Sequence, residues 1–406
     1  MSLTWDVLVG DAREVLRTLP ARSVHMVFTS PPYYLMRDYG IPESEWADGW
    51  VGCLGWEPSP KMFVDHLREV LREVWRVLRD DGTCWINIGD KYAEKAYKPW
   101  GVKPGDEYGV PDEMVRGLMR DGWYRRATVV WNKQSFRPEG ATCRPHKSHE
   151  FVYMLTKVQS GYYYDAEAVR QPHSEGTVRR WGSSEKVHEG CQAFGSENHQ
   201  DATGAVASGN MGERRRSRQM DPRGAHLRTV WDLPNAKYTG NHLATFPPEL
   251  PERGVLAGTS PQACPVCGAP WGRVIELGEP DEEWKRACGA DAKGEYHGTS
   301  KKDWSGGNQI SGSELKARIL SRMRKRTTVG WEPRCECPDN DGSGHCVVLD
   351  PFAGTFTTGV MARQHGRSAI GIEISEEYAE QARQNVMLNI RDIMSFEDPP
   401  STEVDV

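Results

Sequence analysis

Short apolar runs alternate along this chain with segments whose apolar residues recur every three or four positions. WDVLV near the start reads as a strand ending at Gly10-Asp11. AREVLRTLP places Val15, Leu16 and Leu19 on one helical face and stops at Pro20. SVHMVFT is a second apolar run. The segment FVDHLREVLREVWRVLRDDG repeats Val64, Leu67, Leu71, Val74 and Leu78 at helical spacing, with Asp81-Gly82 expected to end it. TCWINIGD, RRATVVWNK and SHEFVYMLTK read as further strands, with the helix PDEMVRGLMRDGW before the second of them. The last segment, from Cys346 to Ile390, reads as strand, glycine turn, helix, strand, helix. Apolar strands separated by amphipathic helices predict an α/β domain, a mostly parallel sheet covered on both faces.

Two stretches break the pattern. Residues 171–229 hold few large apolar side chains and many Gly, Ser, Asn and Arg, so they cannot bury much surface and read as a loop-rich, partly disordered insert. A second insert runs over 261–346. The predicted organisation is 1–170, the loop-rich insert 171–229, a return segment 230–260, the second insert 261–346, a terminal strand–turn–helix half 347–395 and a disordered tail 396–406.

Composition narrows the partners. With 406 residues and 38% hydrophobic content, the chain can form a large core. No apolar run approaches the roughly 18 residues of a spanning helix. Asp6 and Asp11 stand where a secretory signal would be apolar, so a soluble intracellular protein is expected. A net charge of −6 argues against non-specific coating of nucleic acid. Between Arg170 and Arg228, however, ten Lys/Arg stand against seven Asp/Glu. That local excess fits a docking face for a polyanion, or equally a solvated polar loop.

The terminal half carries a candidate ligand site. The run VVLD leads into Pro351-Phe352-Ala353-Gly354-Thr355, then a helix start near Thr357. Strand, glycine turn and helix N-terminus together cradle small ligands. A P-loop needs Lys where Val360 stands, which rejects it. A dinucleotide fingerprint wants three glycines, and only Gly354 and Gly359 are present. S-adenosylmethionine, cationic and free of phosphate, suits an acidic turn better: Asp350 for its ammonium, and Glu373, near the roughly 20-residue offset of ribose-binding acids, for its hydroxyls. A turn that binds nothing stays open on this segment alone.

The stretch Ser30-Pro31-Pro32-Tyr33 ends the second apolar run in a stiff, polar corner. An exocyclic amine on a nucleobase is a poor nucleophile because its lone pair is delocalised into the ring. Ser30 Oγ and the Pro31 carbonyl can accept its hydrogens and free that lone pair, prolines keep the acceptors aimed, and Tyr33 offers a stacking face. Alone, the tetrapeptide reads as a Pro-Pro turn.

Taken together, the two motifs resemble the amino-methyltransferases of DNA, which make N4-methylcytosine or N6-methyladenine. Ser30-Pro31-Pro32-Tyr33 matches their [DNS]-PP-[YFW] motif, and Asp350-Pro351-Phe352-Ala353-Gly354 matches part of their DPFxGxGTT motif. The motif order is that of the β arrangement. The resemblance implies a circularly permuted S-adenosylmethionine-dependent methyltransferase fold with a seven-stranded sheet. It implies a catalytic corner at Ser30, Pro31, Pro32 and Tyr33. It implies a cofactor site at Asp11, Phe246, Asp350, Phe352, Ala353, Gly354, Thr355 and Glu373. Ser-Pro-Pro-Tyr is commoner among cytosine-N4 enzymes, which favours that base over adenine N6. Phe356 stands where the family has glycine, and is expected to narrow the cofactor turn or reshape the helix start. A zinc-containing DNA-binding protein with a decayed cofactor site, and methylation of RNA, are the alternatives.

The implied partners are double-stranded DNA and, for a host-protecting enzyme, a cognate restriction endonuclease, with no membrane. The expected location is a prokaryotic or phage-infected cytoplasm, on DNA. DNA contacts are expected from Lys133, Arg137, Arg214, Arg215 and Arg216.

The ten cysteines include two close pairs. Cys264-Pro265-Val266-Cys267-Gly268 resembles a zinc knuckle, and Cys335 with Cys337 would complete a four-sulfur site. Unconnected thiols in a loop are the other reading. A structural zinc there would fold an insert that has little core of its own.

Overall fold

The computed structural model describes residues 3–135, 140–172, 224–235, 246–278 and 326–394. Arg137, Arg214, Arg215 and Arg216 lie outside the described residues, as do the tail 396–406 and most of the insert 171–229. The chain divides into two compact units, residues 1–169, 228–273 and 331–406 in one, and 170–227 with 274–330 in the other. In the second, a bridge joins Gln171 to Ala225, and Arg170 donates to the Gly224 carbonyl at 2.8 Å.

The first unit opens with β1 (Trp5–Val9), α1 (Ala12–Thr18) and β2 (Val24–Thr29). A small ribbon, β3 (Ser44–Glu45) with β4 (Val51–Gly52), precedes α2 (Pro60–Val77) and β5 (Leu78–Ile88). Then come α3 (Val110–Arg120), β6 (Tyr124–Lys133), β7 (His149–Thr156), β8 (Val230–Leu233) and α4 (Glu249–Gly258). The strands β9 (Gly272–Leu277) and β10 (Arg326–Glu332) form a separate ribbon. The chain closes with β11 (Val347–Asp350), α5 (Thr357–Gln364), β12 (Ser368–Glu373) and α6 (Glu376–Met394).

Local chemistry explains the element ends. Asp11 caps α1 by accepting from the Arg13 N–H. Ser59 caps α2, with Pro60 in its first turn. The α2 helix stops at Val77, earlier than the expected Asp81-Gly82. Leu78 is already extended, because it pairs with Val24 in the sheet ladder.

The main sheet has the order β1-β12-β11-β2-β5-β7-β6-β8. It has eight strands, one more than expected, because β8 adds parallel to β6. The pairs from β1 to β5 are parallel, and β7 runs antiparallel to both of its neighbours. The last two strands of the chain therefore insert between the first two, which is the permuted connection the motif order predicts.

Every residue of β2 is buried. Val27 faces the core formed with α1, α2 and α3. Met26 and Phe28 face α4 so closely that a Cβ on Gly254 would lie 2.6 Å from Met26. Two helical layers thus enclose the sheet, and burying both faces of β2 accounts for its unbroken apolar run. No helix among the described residues is long and apolar enough to cross a membrane.

Candidate active site

The cavity sits at the carboxyl ends of the parallel strands, where open α/β sheets expose their loops. Its volume is about 330 Å3. One wall is the corner after β2, Ser30 to Tyr33. The opposite wall is the turn after β11, with Phe352, Ala353, Gly354 and Thr355, and Glu373 at the end of β12. Asp11 and Phe246 also line it, Phe246 lying edge-on to Phe28 with centroids 5.7 Å apart.

The two walls are joined by one buried carboxylate. Asp350 Oδ1 accepts from Thr29 Oγ1 at 2.7 Å and from the Phe352 N–H at 3.1 Å, and Oδ2 accepts from Thr358 Oγ1 at 3.0 Å. Asp350 is fully buried and does not line the cavity. Burial pushes its carboxyl up to about 6, against the pull of these donors and with a further push from Glu373. The expectation that Asp350 meets a ligand ammonium is therefore corrected. Its oxygens are engaged by two hydroxyls and an amide behind the wall, so it ties the end of β2 to the turn.

Glu373 is the acid that remains available. Its Oε2 accepts from the Gly354 N–H at 2.9 Å and its Oε1 from the Ser375 N–H at 3.0 Å. Burial raises its pKa, although these amides pull the other way. One amide on each oxygen fixes the carboxylate and leaves lone pairs for hydroxyl donors. Asp11 is held differently, gripped by the Arg13 guanidinium at 2.8 and 3.0 Å. Burial raises the Asp11 pKa, but Arg13 and Ser44 outweigh it and the net shift is downward.

Phe356 does not enter the cavity. Its backbone is left-handed, φ 55° and ψ 39°, which accounts for glycine as the family residue there. Its ring is completely buried, and Gly359 and Gly371 make room for it: a Cβ on Gly359 would lie 2.2 Å from the ring. The expected narrowing of the turn is thus not found. The phenyl fills core space beneath it.

At the Ser30–Tyr33 corner, Ser30 Oγ donates to Tyr33 Oη at 3.3 Å, and Tyr33 Oη donates to Glu150 Oε2 at 2.7 Å. Asn87 Nδ2 donates to the same Oε2 at 3.2 Å. Lys133 pairs with Glu150 Oε1 and stands 4.8 Å from the Trp131 ring centroid. The Tyr33 ring rests on Gly89, where a Cβ would come within 2.8 Å. Burial and the neighbouring Glu150 raise the Tyr33 pKa well above its ordinary value, so the phenol keeps its proton. Lys133, expected to contact DNA, lines the cavity.

A model of the N6/N4 DNA methylase family matches residues 24–264 and 344–384, spanning both walls. The chain belongs to this family. Type II methyltransferase M.Cfr9I of Citrobacter freundii is 36% identical over 271 residues, 62% of this chain and 72% of that one. Type II methyltransferase M.SmaI of Serratia marcescens is 27% identical over 400 residues, 94% of this chain and 90% of that one. Among solved structures, the PvuII cytosine-N4-specific DNA methyltransferase aligns with a TM-score of 0.47 at 15% identity, covering 95% of this chain and 91% of that one.

Two polar residues of this DNA methylase's cavity, Glu150 and Asn87, escaped the sequence reading. Their signal was present: Asn87 is a polar residue within the apolar run CWINI, and Glu150 is an acid at the head of the apolar run FVYML.

At the opposite end of β2 lie the cysteines. The Sγ atoms of Cys264, Cys267, Cys335 and Cys337 are all within 4.8 Å of one another. Tetrahedral zinc–sulfur bonds of about 2.3 Å require sulfurs roughly 3.8 Å apart, so the set fits a metal of that type. Burial raises the Cys264 pKa, but the Cys267 and Val266 amides and the neighbouring thiols bring it down to about 7. Arg79 donates to the Cys267 carbonyl at 2.8 Å. His25 accepts from the Val347 N–H at 2.9 Å, so its Nε2 carries the proton that bonds the Gly268 carbonyl at 2.7 Å.

Proposed function

We propose that this DNA methylase transfers a methyl group from S-adenosylmethionine to the exocyclic amine of a base flipped out of double-stranded DNA, and that the base is cytosine, modified at N4. The observation that carries this is the Thr29–Asp350 hydrogen bond, which sets the Ser30 corner and the Gly354 turn on facing walls of one cavity. When bound, S-adenosylmethionine supplies an electrophilic methyl. Glu373 would accept from its ribose hydroxyls, and Phe352, Gly354, Thr355, Phe246 and Asp11 would enclose it. Ser30 Oγ and the Pro31 carbonyl would accept the amine hydrogens and turn the nitrogen lone pair toward the methyl. The walls would bring amine and methyl together in one cavity, which can lower the barrier without a covalent intermediate.

Cytosine is favoured because Ser-Pro-Pro-Tyr is the commoner form among cytosine-N4 enzymes. The resident metal of the four-cysteine cluster is proposed to be zinc. It would brace the fold, since no ligand position is open and the cluster lies away from the cavity. A cognate endonuclease partner is proposed from the Type II names of the relatives. The test is incubation of DNA with methyl-labelled S-adenosylmethionine and digestion to nucleosides. Labelled N4-methylcytosine supports the reading. Labelled N6-methyladenine moves the base assignment, and an unlabelled digest removes the proposal.

A further inference from the structure

Transfer of a methyl group to an amine leaves a proton to dispose of, and Ser30 is not a base. The amine lone pair forms the new N–C bond while the S–C electron pair stays on sulfur, so the nitrogen becomes cationic. A proton leaving as that charge builds removes it. Family members with Asp at the first motif position have a carboxylate there, and this chain does not.

The geometry points to a relay from Ser30 Oγ through Tyr33 Oη to Glu150 Oε2, with Glu150 as the final proton acceptor. This rests on the proposed amine methylation and deepens it. The donors align in one direction: Ser30 donates to Tyr33 at 3.3 Å, and Tyr33 to Glu150 at 2.7 Å. The other acceptor near the phenol, Asn87 Oδ1, is farther at 3.2 Å and cannot take up a proton. The lone pairs of Ser30 Oγ are then free to face the amine.

As the N–C bond forms and positive charge builds on the nitrogen, its proton moves to Ser30 Oγ, Ser30 passes its own to Tyr33 Oη, and Tyr33 passes its own to Glu150, so the relay acts within the methyl-transfer step. The N–H bonding pair returns to nitrogen, and a carboxylate becomes a carboxylic acid. A phenol unable to ionise stably in its surroundings can carry a proton in concert without becoming a phenolate. The protonated methylamine of a base is strongly acidic, so a carboxylate is a sufficient sink. The charged and titratable groups facing Glu150 are Lys133, on Oε1, and Tyr33 and Tyr39. Asn87 holds the carboxylate from a neighbouring strand. Glu150 itself lines the cavity, which lets the proton reach water once product leaves.

Glu150 acts through Tyr33 and Ser30 and is a positioning residue. The test compares wild type with Glu150→Gln, Glu150→Asp, Tyr33→Phe and the Gln/Phe double variant. The readouts are single-turnover methyl transfer, calorimetric binding of S-adenosylmethionine, and fluorescence of a flipped-base reporter in DNA. The relay predicts a loss of about 100-fold in the methyl-transfer rate for Glu150→Gln and for Tyr33→Phe, the low end for a proton-transfer group. The double variant should lose no more than either single, Glu150→Asp should recover most of the rate, and KM, cofactor binding and base flipping should hold. Rates within threefold of wild type for Glu150→Gln overturn the relay. So do losses that multiply in the double variant, or losses that follow weakened binding. A wild-type protein that transfers no methyl to any amine overturns the underlying function instead.

Discussion

The two ends of β2 make a comparison. At its start, His25 bonds the Gly268 carbonyl and so touches the four-cysteine knuckle. At its end, Thr29 bonds Asp350, and Ser30 opens the cavity. These contacts are four positions apart, roughly 13 Å of extended chain. Both ends gather segments distant in sequence. At the knuckle, however, the Cys267 and Gly268 carbonyls are taken by Arg79 and His25, and the four thiols are turned toward one another. At the cavity, Glu373 and Ser30 are fixed by one or two bonds and retain capacity for a ligand. Bracing closes its hydrogen bonds, and a binding wall leaves some open.

The largest expected effect is at the bracing end. Cys335→Ser, or treatment with a strong chelator to strip the proposed metal, is expected to lower unfolding free energy by about 4 kcal/mol, at the upper end of single-site effects. The fraction still folded should retain its methyl-transfer rate, as denaturant melts read beside single-turnover assays would reveal. A rate that falls ahead of the melt would erase the distinction between the two ends.

Ser30→Ala should do the reverse. Loss of a preorganised acceptor predicts a 100- to 1,000-fold drop in kcat, about 3–4 kcal/mol, with an unchanged Tm. A shifted melt with normal turnover would make Ser30 a brace as well.

Phe356→Gly sharpens the comparison within the cavity's own turn. Removing a buried phenyl costs about 3–5 kcal/mol, and relief of the left-handed backbone returns roughly 1 kcal/mol. A net loss near 3 kcal/mol is expected with cofactor affinity unchanged. Gly359→Ala should destabilise the wild-type chain and be tolerated beside Phe356→Gly, since the clash is with that ring. Weaker or tighter cofactor binding in Phe356→Gly, measured by calorimetry, would put the ring back at the ligand.

The smallest effect concerns Asp350. Its folded pKa of about 6 lies above an ordinary Asp near 3.9. Protons therefore bind the folded state more tightly. The contribution is full below about pH 4 and lost as pH rises through about 6, at most about 3 kcal/mol. The stability difference between wild type and Asp350→Asn, followed by urea melts from pH 4 to 7, should change in wild type's disfavour across that window. A difference independent of pH would mean that the carboxyl ionises normally.

Most of the fold was legible because apolar runs and helical spacing are local signals. The strands β1, β2, β5, β6, β7, β11 and β12 all show in the sequence. The end of α2 was misplaced because Leu78 continues the helical spacing, while its pairing with Val24 is a long-range fact. The β8 strand has only four residues and follows directly on the insert 171–229, so nothing local fixes its pairing. In the site, Ser30, Tyr33, Gly354 and Glu373 were legible through motif chemistry. The part of Asp350 was not, because an acid in a turn looks the same whether it faces ligand or core. The ring of Phe356 was misread for the same reason: the glycines that receive it are three and fifteen positions away. The partnership of Glu150 with Tyr33 depends on neighbouring strands and left only the trace of an acid among apolar residues.

One experiment bears most directly on the joining of the two motifs: a structure of the protein with S-adenosylhomocysteine and duplex DNA. The account predicts the adenosine against Glu373 and Phe352, and a flipped base whose amine lies on Ser30 Oγ. The nitrogen should be within about 3–3.5 Å of the position the methyl would occupy. A nucleoside bound outside this cavity, or a base left stacked in the duplex with the cofactor in place, would contradict it.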